Sequence, residues 1–570
     1  MPPSAADSPQ NDRVKLGLAL SGGGFRAAFF HIGVLARMAE MGLLRHVEVI
    51  STVSGGSIVG ALYYLHVKRL LETKPDAEIA DADYADIVAA IVDQFFAGTQ
   101  RNLRARTFAD LRHNVKMNRR TYSRSDRIGE LYDEFFYSDF RERHDEPIEM
   151  RELKIGEFDP EADNPSRSAK VPILLLNATV LNDGHAWRFE AARMGEPGRG
   201  PGAAAVDPNM VLRRAPSYAD IVPHQQDFPL GIAVAASACF PAFPPLAISD
   251  LYPSVRVQLV DGGVFDNQGV WGLYQAKCSH LVVSDGSGLM ADADNPPGSV
   301  VGALFRDFAI QADRIRDVQL SFIEEDPRAA VVHLRRGLGG REVPWLRADC
   351  TPAPPPPPEE PQMLSFGVDR DIQELLSRVR TDLDAFSETE AMALMCDAYK
   401  MSEEALAPNP EIVALAEPAA DRARGPWRFE EIEPWLSAPT PDFRKRLEVA
   451  RGRFLKAPKL DPWLWLPLAA LLCVLVVAVG LAWDRWLEGS VPLGSVLLGA
   501  LVVGGIAVLP ALVNAFRPLR FLSGPLDELI RRTLWLALPF IPWAIVQLQL
   551  RLFDPSFRRR GRVSTLTPPG

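Results

Sequence analysis

The stretch from Val14 to Leu65 constrains the fold most, because it contains two strand–turn–helix units in succession. Residues 14–20 alternate apolar with small or polar side chains, as a strand does, and apolar residues recur at helical spacing over 25–41 after three glycines. Residues 47–53 predict a second strand, and the turn at Ser54 leads into a second helix. In a doubly wound α/β sheet, ligands bind beyond the carboxyl ends of parallel strands. The two turns therefore predict where a functional site would form.

Ser54 lies in the second of these turns. A serine between a strand and a helix, with glycine two residues later, is the arrangement of a nucleophile elbow, whose tight turn exposes the hydroxyl. The usual pattern also has glycine two residues before the serine, but Thr52 occupies that position. Ser57 is a rival nucleophile, although it falls inside the predicted helix. The structural alternative is an ordinary helix start, where serine and glycine are common. Ser54 is the better candidate nucleophile.

The first turn, Gly22-Gly23-Gly24, exposes backbone N–H groups at the start of a helix. Together with the positive end of the helix dipole, such donors bind a phosphate or an oxyanion. Gly22-x-Gly24-x-x-Ala27 also fits a relaxed dinucleotide fingerprint, with Glu48 as the acidic residue that follows. A nucleophile and a base beside the turn would favour the oxyanion hole.

A candidate base follows a third predicted strand, in which Val255, Val257 and Leu259 alternate with other residues. The strand leads into Asp261-Gly262-Gly263, whose glycines let the aspartate approach a neighbouring loop closely. An Asp-Gly turn is also common for structural reasons, so Asp261 alone does not establish a site.

Three motifs, in this order and at the ends of predicted strands, resemble those of the patatin-like phospholipase family: Gly22–Arg26, Ser54–Gly56 and Asp261–Gly263. The segments His31–Leu35 and Ala236–Pro241 are similar to the family as well, and the resemblance covers about the first 410 residues. It implies a three-layer α/β sandwich with a mainly parallel central sheet. It also implies acyl transfer from a lipid ester to water through an acyl-serine intermediate.

The resemblance further implies a Ser–Asp dyad, in which Asp261 accepts the proton of Ser54 directly. Because an aspartate is a weak base, burial would have to raise its pKa. The nine histidines form no competing pattern, and His31 is expected to pack in the interior. The remaining site residues that the resemblance implies are an oxyanion hole, Gly22, Gly23, Gly24 and Arg26, and the glycines that support the serine and aspartate turns, Gly55, Gly56, Gly262 and Gly263.

Composition is that of an ordinary globular protein, with a net charge of −10 over 570 residues, so nucleic acid is not an expected partner. The five cysteines show no close pairing. Neither a disulfide framework nor a metal site is therefore expected, and no cofactor is predicted. Residues 1–12 have no apolar run and predict a disordered tail rather than a signal peptide.

Residues 13–455 are expected to form the catalytic domain. The seven prolines of 351–361 form a stiff spacer. We interpret it as a surface loop within that domain, because residues 372–401 resume as an amphipathic helix similar to the family's closing helix.

Residues 456–570 predict a helical membrane domain. Two charge-free runs, about 463–483 and 493–516, are long enough to cross a bilayer. A third apolar run, about 533–550, contains prolines and glutamines, so we expect it to be re-entrant or interfacial. Basic residues concentrate before the first run, after the second and in the tail, which by the positive-inside rule keeps the catalytic domain and the tail cytoplasmic. Three spans, with the tail outside, are the alternative.

The sequence thus predicts a membrane-tethered lipid acyl hydrolase of phospholipase A or lysophospholipase type. Its substrate would be a phospholipid or lysophospholipid, and tethering to the bilayer would raise the local concentration of that ester. The alanine, proline and arginine bias is typical of a bacterium, in which the membrane would be the inner one. The alternatives are an acyltransferase that uses the same dyad, a non-catalytic lipid-binding membrane scaffold, and a nucleotide-dependent oxidoreductase.

Overall fold

The centre of the structure, a computed structural model, is a mixed β-sheet. The described residues are 13–117, 122–143, 145–198, 207–212, 215–240, 243–288, 290, 292–340, 343–353, 361–416, 426–466 and 545–569. Within them the sheet has nine strands. These are Leu16–Leu20 (β1), Val47–Val53 (β2), Ile173–Val180 (β3), Ala186–Phe189 (β4), Met194–Gly195 (β5), Leu246–Ile248 (β6), Val257–Asp261 (β7), His280–Asp285 (β8) and Ala329–His333 (β9).

The strand order β5-β4-β3-β2-β1-β8-β9 puts the first strand of the chain near the middle of the sheet. Strands β3, β2, β1, β8 and β9 are parallel, whereas β4 and β5 extend the edge in antiparallel fashion. The carboxyl-terminal half of β3 also pairs with β7, antiparallel, and β7 pairs with β6. The predicted α/β fold with a mainly parallel central sheet is confirmed.

Helices cover both faces of this sheet. The α-helices of the described residues are Gly24–Glu40 (α1), Gly55–Thr73 (α2), Asp81–Thr99 (α3), Leu103–Ala109 (α4), Leu111–Lys116 (α5), Arg124–Tyr132 (α6), Pro160–Asp163 (α7), Pro223–Gln226 (α8), Leu230–Ser237 (α9), Gly263–Asp266 (α10), Val270–Gln275 (α11), Val300–Glu324 (α12), Arg370–Ser377 (α13), Glu388–Leu406 (α14), Pro410–Val413 (α15), Glu433–Ser437 (α16), Pro441–Ala450 (α17), Lys456–Leu460 (α18) and Asp554–Arg560 (α19).

The alternation in β1 explains how the two faces differ. Leu16, Leu18 and Leu20 point into the larger core, where α1 packs against α2, α3 and α14. Ala19 points to the opposite face and joins a smaller core that α11 covers. Gly17 lies on that face too, and a Cβ atom there would be 2.8 Å from Cys278 Sγ. Small residues on one face of β1 therefore allow α11 to approach the sheet closely.

Residues 372–401 do not form the single helix that the sequence predicts. Helix α13 ends at Ser377 and α14 begins only at Glu388. The buried Arg380 guanidinium holds the intervening segment by bonding Asp384 Oδ1 at 2.7 Å and Glu390 Oε1 at 2.6 Å. The break places Asp382 against the glycine turn, where its carbonyl accepts a hydrogen bond from Phe25 N–H at 3.1 Å.

The chain divides into two compact units. One unit contains the residues up to Arg453 together with those from Gly561 onward, and the other spans Phe454–Arg560. The tail therefore belongs to the unit that contains the sheet and the predicted catalytic residues. The physical reason is that the backbone N–H and the hydroxyl of Thr389 both donate to Gly561 O at 2.9 Å, and Val563 and Leu566 are buried in the larger core.

In the second unit, α18 packs against α19. The predicted spans at 463–483 and 493–516 and the third segment at 533–550 fall wholly or mostly in residues 467–544, outside the described residues, as do the tail 1–12 and most of the proline-rich loop. Among the helices that the structure does describe, none combines the length and the apolar character needed to cross a bilayer.

Candidate active site

Ser54 sits alone between the end of β2 and the start of α2, in a strained backbone conformation. Its φ is 51° and its ψ is −117°, a region that residues with a side chain adopt rarely and at a cost of about 1–3 kcal/mol. Its N–H donates to Ser237 Oγ at 3.1 Å. Such strain persists only where the surroundings enforce it, and here the turn lies at the carboxyl ends of the parallel strands.

The two glycines after Ser54 permit a close contact between the serine turn and the glycine turn. A Cβ atom on Gly55 would lie 2.1 Å from Gly24 O, and one on Gly56 would lie 2.3 Å from Leu20 O. Gly56 N–H also donates to Ser21 O at 3.2 Å. Any side chain at either position would separate the two turns, so both glycines support the turn as predicted from the motif.

Asp261 ends strand β7 and is buried. Because β7 runs antiparallel to β3, Asp261 lies opposite Ala178, next to the strand that pairs with β2. Its backbone N–H donates to Cys239 O at 3.1 Å, and its carbonyl accepts a hydrogen bond from the Thr179 hydroxyl at 2.9 Å. Gly262 follows without room for a side chain, since a Cβ atom would lie 2.3 Å from Asn177 O.

The Asp261 carboxyl group adjoins the Ser54 hydroxyl. Burial raises the pKa of Asp261 to about 6, and the Ser54 hydroxyl and the Gly263 N–H limit that rise. Oδ1 accepts from Gly263 N at 2.8 Å, whereas the buried Oδ2 has no hydrogen-bond partner of good geometry among the described residues. The structure thus places a carboxylate oxygen of raised basicity beside the candidate nucleophile.

The N–H groups of the three glycines in the glycine turn differ in their partners. Gly22 N–H, one of the predicted oxyanion donors, donates to Asn267 O at 2.9 Å. The N–H groups of Gly23 and Gly24 have no acceptor within the described part of the chain. Gly23 has φ 143° and Gly24 has φ 59°, conformations that favour glycine. These two donors begin α1, where the helix dipole attracts negative charge.

Asn267 connects the glycine turn to the aspartate turn, a role that the sequence motifs did not reveal. Its Oδ1 would lie 2.2 Å from a Cβ atom on Gly22 and 2.4 Å from one on Gly263. The side chain is therefore wedged between these two glycines. Gly22 thus contributes space and a bond to Asn267 instead of an oxyanion donor.

The Arg26 side chain bonds to backbone carbonyls behind the glycine turn. Nε donates to Gly286 O at 3.2 Å and Nη1 donates to Val379 O at 2.8 Å, while burial lowers the pKa of Arg26 to about 10. Phe25 N–H donates to Asp382 O at 3.1 Å on the same side. Arg26 therefore holds the glycine turn in place. Its side-chain hydrogen bonds go to the carbonyls of Gly286 and Val379 and not toward Ser54.

Residues 18–274 match the family model of the patatin-like phospholipases. These residues form a patatin-like phospholipase domain. The match includes the glycine turn, Ser54 and Asp261, so all three loops of the candidate site lie within it.

Among solved structures, the chain is similar to a human GIVD cytosolic phospholipase A2 in complex with methyl γ-linolenyl fluorophosphonate and terbium chloride. It is 13% identical with a TM-score of 0.36, and the alignment covers 71% of this chain and 59% of that one. Another structure of the human enzyme is 12% identical, with a TM-score of 0.34 and coverage of 71% and 60%. The chain thus spans about 59–60% of the length of these proteins. No curated protein matches the chain.

Ser57 of the patatin-like domain is buried and bonded, which removes it as a rival nucleophile. Its hydroxyl lies 2.9 Å from Thr52 Oγ1 and 2.7 Å from Ser237 Oγ. Thr52, the departure from the usual elbow, also donates to Leu175 O at 3.0 Å, and Gly60 leaves space for its methyl group. Ser237 completes this set by donating to Asn177 O at 2.6 Å. The hydroxyl groups stabilise the elbow from behind.

His31 is a packing residue, as expected. Its Nε2 lies 2.9 Å from Ser21 O and its Nδ1 lies 2.6 Å from Ser284 Oγ. Burial lowers the pKa of His31 to about 4, so the ring is neutral near pH 7. It joins the end of β8 to the glycine turn.

Glu48 cannot serve a dinucleotide at the glycine turn. It lies at the amino end of β2, where it pairs with Arg13. Ser54 follows the carboxyl end of the same strand, which is about 20 Å away at about 3.3 Å per residue. A ribose beside Gly24 would be out of reach of this carboxylate, so the fingerprint lacks its acidic partner.

The raised pKa of Asp261 predicts the acidic limb of the pH–rate profile. Protonated Asp261 cannot accept the proton of Ser54, so we expect kcat/KM to fall as the pH decreases through about 6. The measurement is kcat/KM for a neutral soluble ester over a range of pH. An acidic limb with an apparent pKa near the ordinary aspartate value of 3.8 would contradict the assignment of buried Asp261 as the base.

Proposed function

We propose that this protein is a lipid acyl hydrolase that uses Ser54 as nucleophile and Asp261 as general base. The observation that carries the proposal is the buried carboxylate beside a strained serine turn. Asp261 is 3% exposed and Ser54 is 9% exposed, so the proton would pass between them in a site of low polarity. The patatin-like domain supports lipid esters as the class of substrate.

In the first step, Ser54 Oγ attacks the ester carbonyl carbon as its proton passes to Asp261 Oδ2. The carbonyl oxygen becomes an oxyanion, which Gly23 N–H and Gly24 N–H stabilise. Each such donor contributes about 3 kcal/mol to the stability of a transition state. The protonated Asp261 then returns the proton to the leaving alcohol or lysolipid, and an acyl-serine remains.

In the second step, Asp261 takes a proton from water, and the resulting hydroxide equivalent attacks the acyl-serine. Collapse of the second tetrahedral intermediate releases the fatty acid and restores the Ser54 hydroxyl. An acyltransferase would differ only in the acceptor, since another lipid would replace the water. Incorporation of ¹⁸O from labelled water into the released fatty acid separates these outcomes.

The dyad is tested by two substitutions. We expect Ser54→Ala and Asp261→Asn each to lower kcat for fatty-acid release by at least about 1,000-fold, because each removes one partner of a unit. The assay uses the full chain in detergent with a phospholipid in mixed micelles. Thermal melting of both variants shows whether they remain folded.

A fluorophosphonate probe distinguishes the enzyme from a lipid-binding scaffold. It should label the native protein and not Ser54→Ala, since only an activated serine reacts. Ser57→Ala is the matched control and should still be labelled. Labelling that persists in Ser54→Ala, or full activity in Asp261→Asn, would contradict the proposed Ser54–Asp261 dyad.

An exposed apolar surface on α12 supports a lipid substrate. The side chains of Val300, Leu304 and Phe305 are 77%, 63% and 69% exposed. Farther along α12, Gln319 bonds Asp266 of α10, the helix that follows the Asp261 turn. Large apolar side chains are rarely left in water without a function, and a bilayer surface would bury them. We propose that this end of α12 docks onto the lipid surface from which the ester is taken.

This docking predicts a difference between two substrates. Leu304→Glu with Phe305→Glu should lower the activity on phospholipid vesicles by at least about 10-fold. Burial of two apolar side chains in the bilayer would strengthen binding to the vesicle by at least that factor. The rate with a soluble short-chain ester should not change. Val413→Glu, at another exposed apolar position, is the control. Equal losses on both substrates would contradict the docking.

We propose that the apolar residues between 463 and 550 anchor the catalytic unit to a membrane and cross it an even number of times. Arg446 Nη1 donates to Arg562 O, and Trp435 Nε1 donates to Thr567 O at 2.7 Å. With Gly561 bonded to Thr389, the tail is part of the catalytic unit. The chain therefore leaves and rejoins the same side, which supports two spans over three.

Cysteine labelling with a membrane-impermeant maleimide tests this topology in bacterial cells. The exposed Cys350 reports the catalytic unit, Ser564→Cys reports the tail, and Glu488→Cys reports the loop between the two proposed spans. We expect intact spheroplasts to label only Glu488→Cys and lysed ones to label all three. Labelling of Ser564→Cys from outside, with Cys350 protected, would require an odd number of spans.

A further inference from the structure

A second cluster of ionisable side chains lies at the edge of the sheet, away from the Ser54 turn. Asp183 and His185 belong to the tight connection between β3 and β4, Glu196 follows β5, and Asp207 comes from the loop beyond. The side chains of Asp183, Glu196 and His185 are 1%, 3% and 13% exposed. Three carboxyl groups thus surround one imidazole at a largely buried point.

The distances in this cluster are those between ligands of one metal ion. His185 Nδ1 lies 3.3 Å from Asp183 Oδ1 and 3.4 Å from Glu196 Oε2. A tetrahedral ion with bonds of about 2.0–2.1 Å separates its ligands by about 3.3–3.4 Å. The candidate ligand atoms of the three residues all lie within 4.8 Å of one another.

Asp207 lies beside the ring nitrogen of His185 that is farther from the other two carboxyl groups. His185 Nε2 lies 2.9 Å from Asp207 Oδ2, whereas Nδ1 faces Asp183 and Glu196. A carboxylate on the far nitrogen is the usual outer contact of a histidine that binds zinc.

An independent observation is the state of the Asp183 carboxyl group. Its Oδ1 accepts from the backbone N–H of His185 at 3.0 Å, but the buried Oδ2 has no hydrogen-bond partner of good geometry among the described residues. The Asp183 carboxyl group also lies within hydrogen-bonding reach of the Glu196 carboxyl group. Two neighbouring buried carboxyl groups are costly, and a cation between them would offset that cost.

We propose that Asp183, His185 and Glu196 bind one divalent transition-metal ion of the zinc class. Imidazole favours Zn²⁺ over Mg²⁺ and Ca²⁺, which prefer oxygen ligands alone. Each protein ligand supplies one atom, and water completes the tetrahedron. The ion would clamp the β3–β4 connection to the segment that follows β5, a structural role separate from ester hydrolysis.

The clamp lies on the strand that also carries contacts to the dyad. Val180 N–H donates to His185 O at 2.8 Å, and the preceding Thr179 hydroxyl donates to Asp261 O at 2.9 Å. Loss of the ion should therefore loosen the edge of the sheet first. Protein stability and metal content are accordingly the readouts, and neither depends on turnover.

The test measures metal in the untagged full chain, purified in detergent and dialysed against Zn²⁺ and then metal-free buffer. We expect about one equivalent of zinc by mass spectrometry. Re-addition of Zn²⁺ to chelator-treated protein, at 100-fold above its Kd, should raise Tm by about 3–5 °C, whereas Mg²⁺ should not. Native protein that neither retains zinc nor gains stability from it overturns the proposal.

Two variants locate the ion. Asp183→Asn and His185→Gln should each lose the bound zinc and the zinc-dependent rise in Tm. His113→Gln is the matched control, since His113 also lies beside two carboxylates, Asp110 and Glu130, but at a more exposed place. It should keep both properties. Zinc retained by His185→Gln, or lost equally from His113→Gln, would show an adventitious ion only. Ser54→Ala should bind zinc like the native protein, so failure of the hydrolase proposal would leave this result intact.

Discussion

The candidate site depends on the contact between two backbone turns that have no side chains between them. Gly55 lies against Gly24, and Gly56 lies against the end of β1. This contact brings a strained serine and two N–H donors to the same edge of the sheet. The strained backbone conformation of Ser54 persists because the paired strands β1 and β2 fix both turns. The Ser237 hydroxyl also accepts a hydrogen bond from the Ser54 N–H. Rigid strands thus supply the precision that the chemistry requires.

Burial is the second constraint, because it would let a carboxylate act as the proposed base without a histidine. An exposed aspartate is nearly always ionised at neutral pH and is a poor base. At Asp261 the loss of solvent raises the pKa to about 6, while a single N–H on Oδ1 keeps the group oriented. The same burial makes His31 neutral and structural. One physical effect therefore separates the proposed base from the nearby imidazole.

Several residues of the domain act at a distance from the dyad by joining chain segments that are far apart in sequence. Asn267 fills the space between Gly22 and Gly263, and Arg26 bonds carbonyl groups of residues 286 and 379. The tail from Gly561 onward returns to the same unit.

The sequence by itself determined the order of strands and helices around the site and the three loops that carry it. Alternating Leu16, Leu18 and Leu20, the glycine runs and the Asp-Gly turn are local signals, and a strand end is where parallel sheets place such loops. Only the tertiary structure decided that the Gly22 N–H donates to the Asn267 carbonyl, and that Asp183, His185 and Glu196 meet. It also decided that the helix predicted over 372–401 breaks and places Asp382 against the glycine turn. Those outcomes depend on contacts between residues that are distant along the chain, or on how a hairpin folds back on itself. Local periodicity and motif spacing carry no information about either.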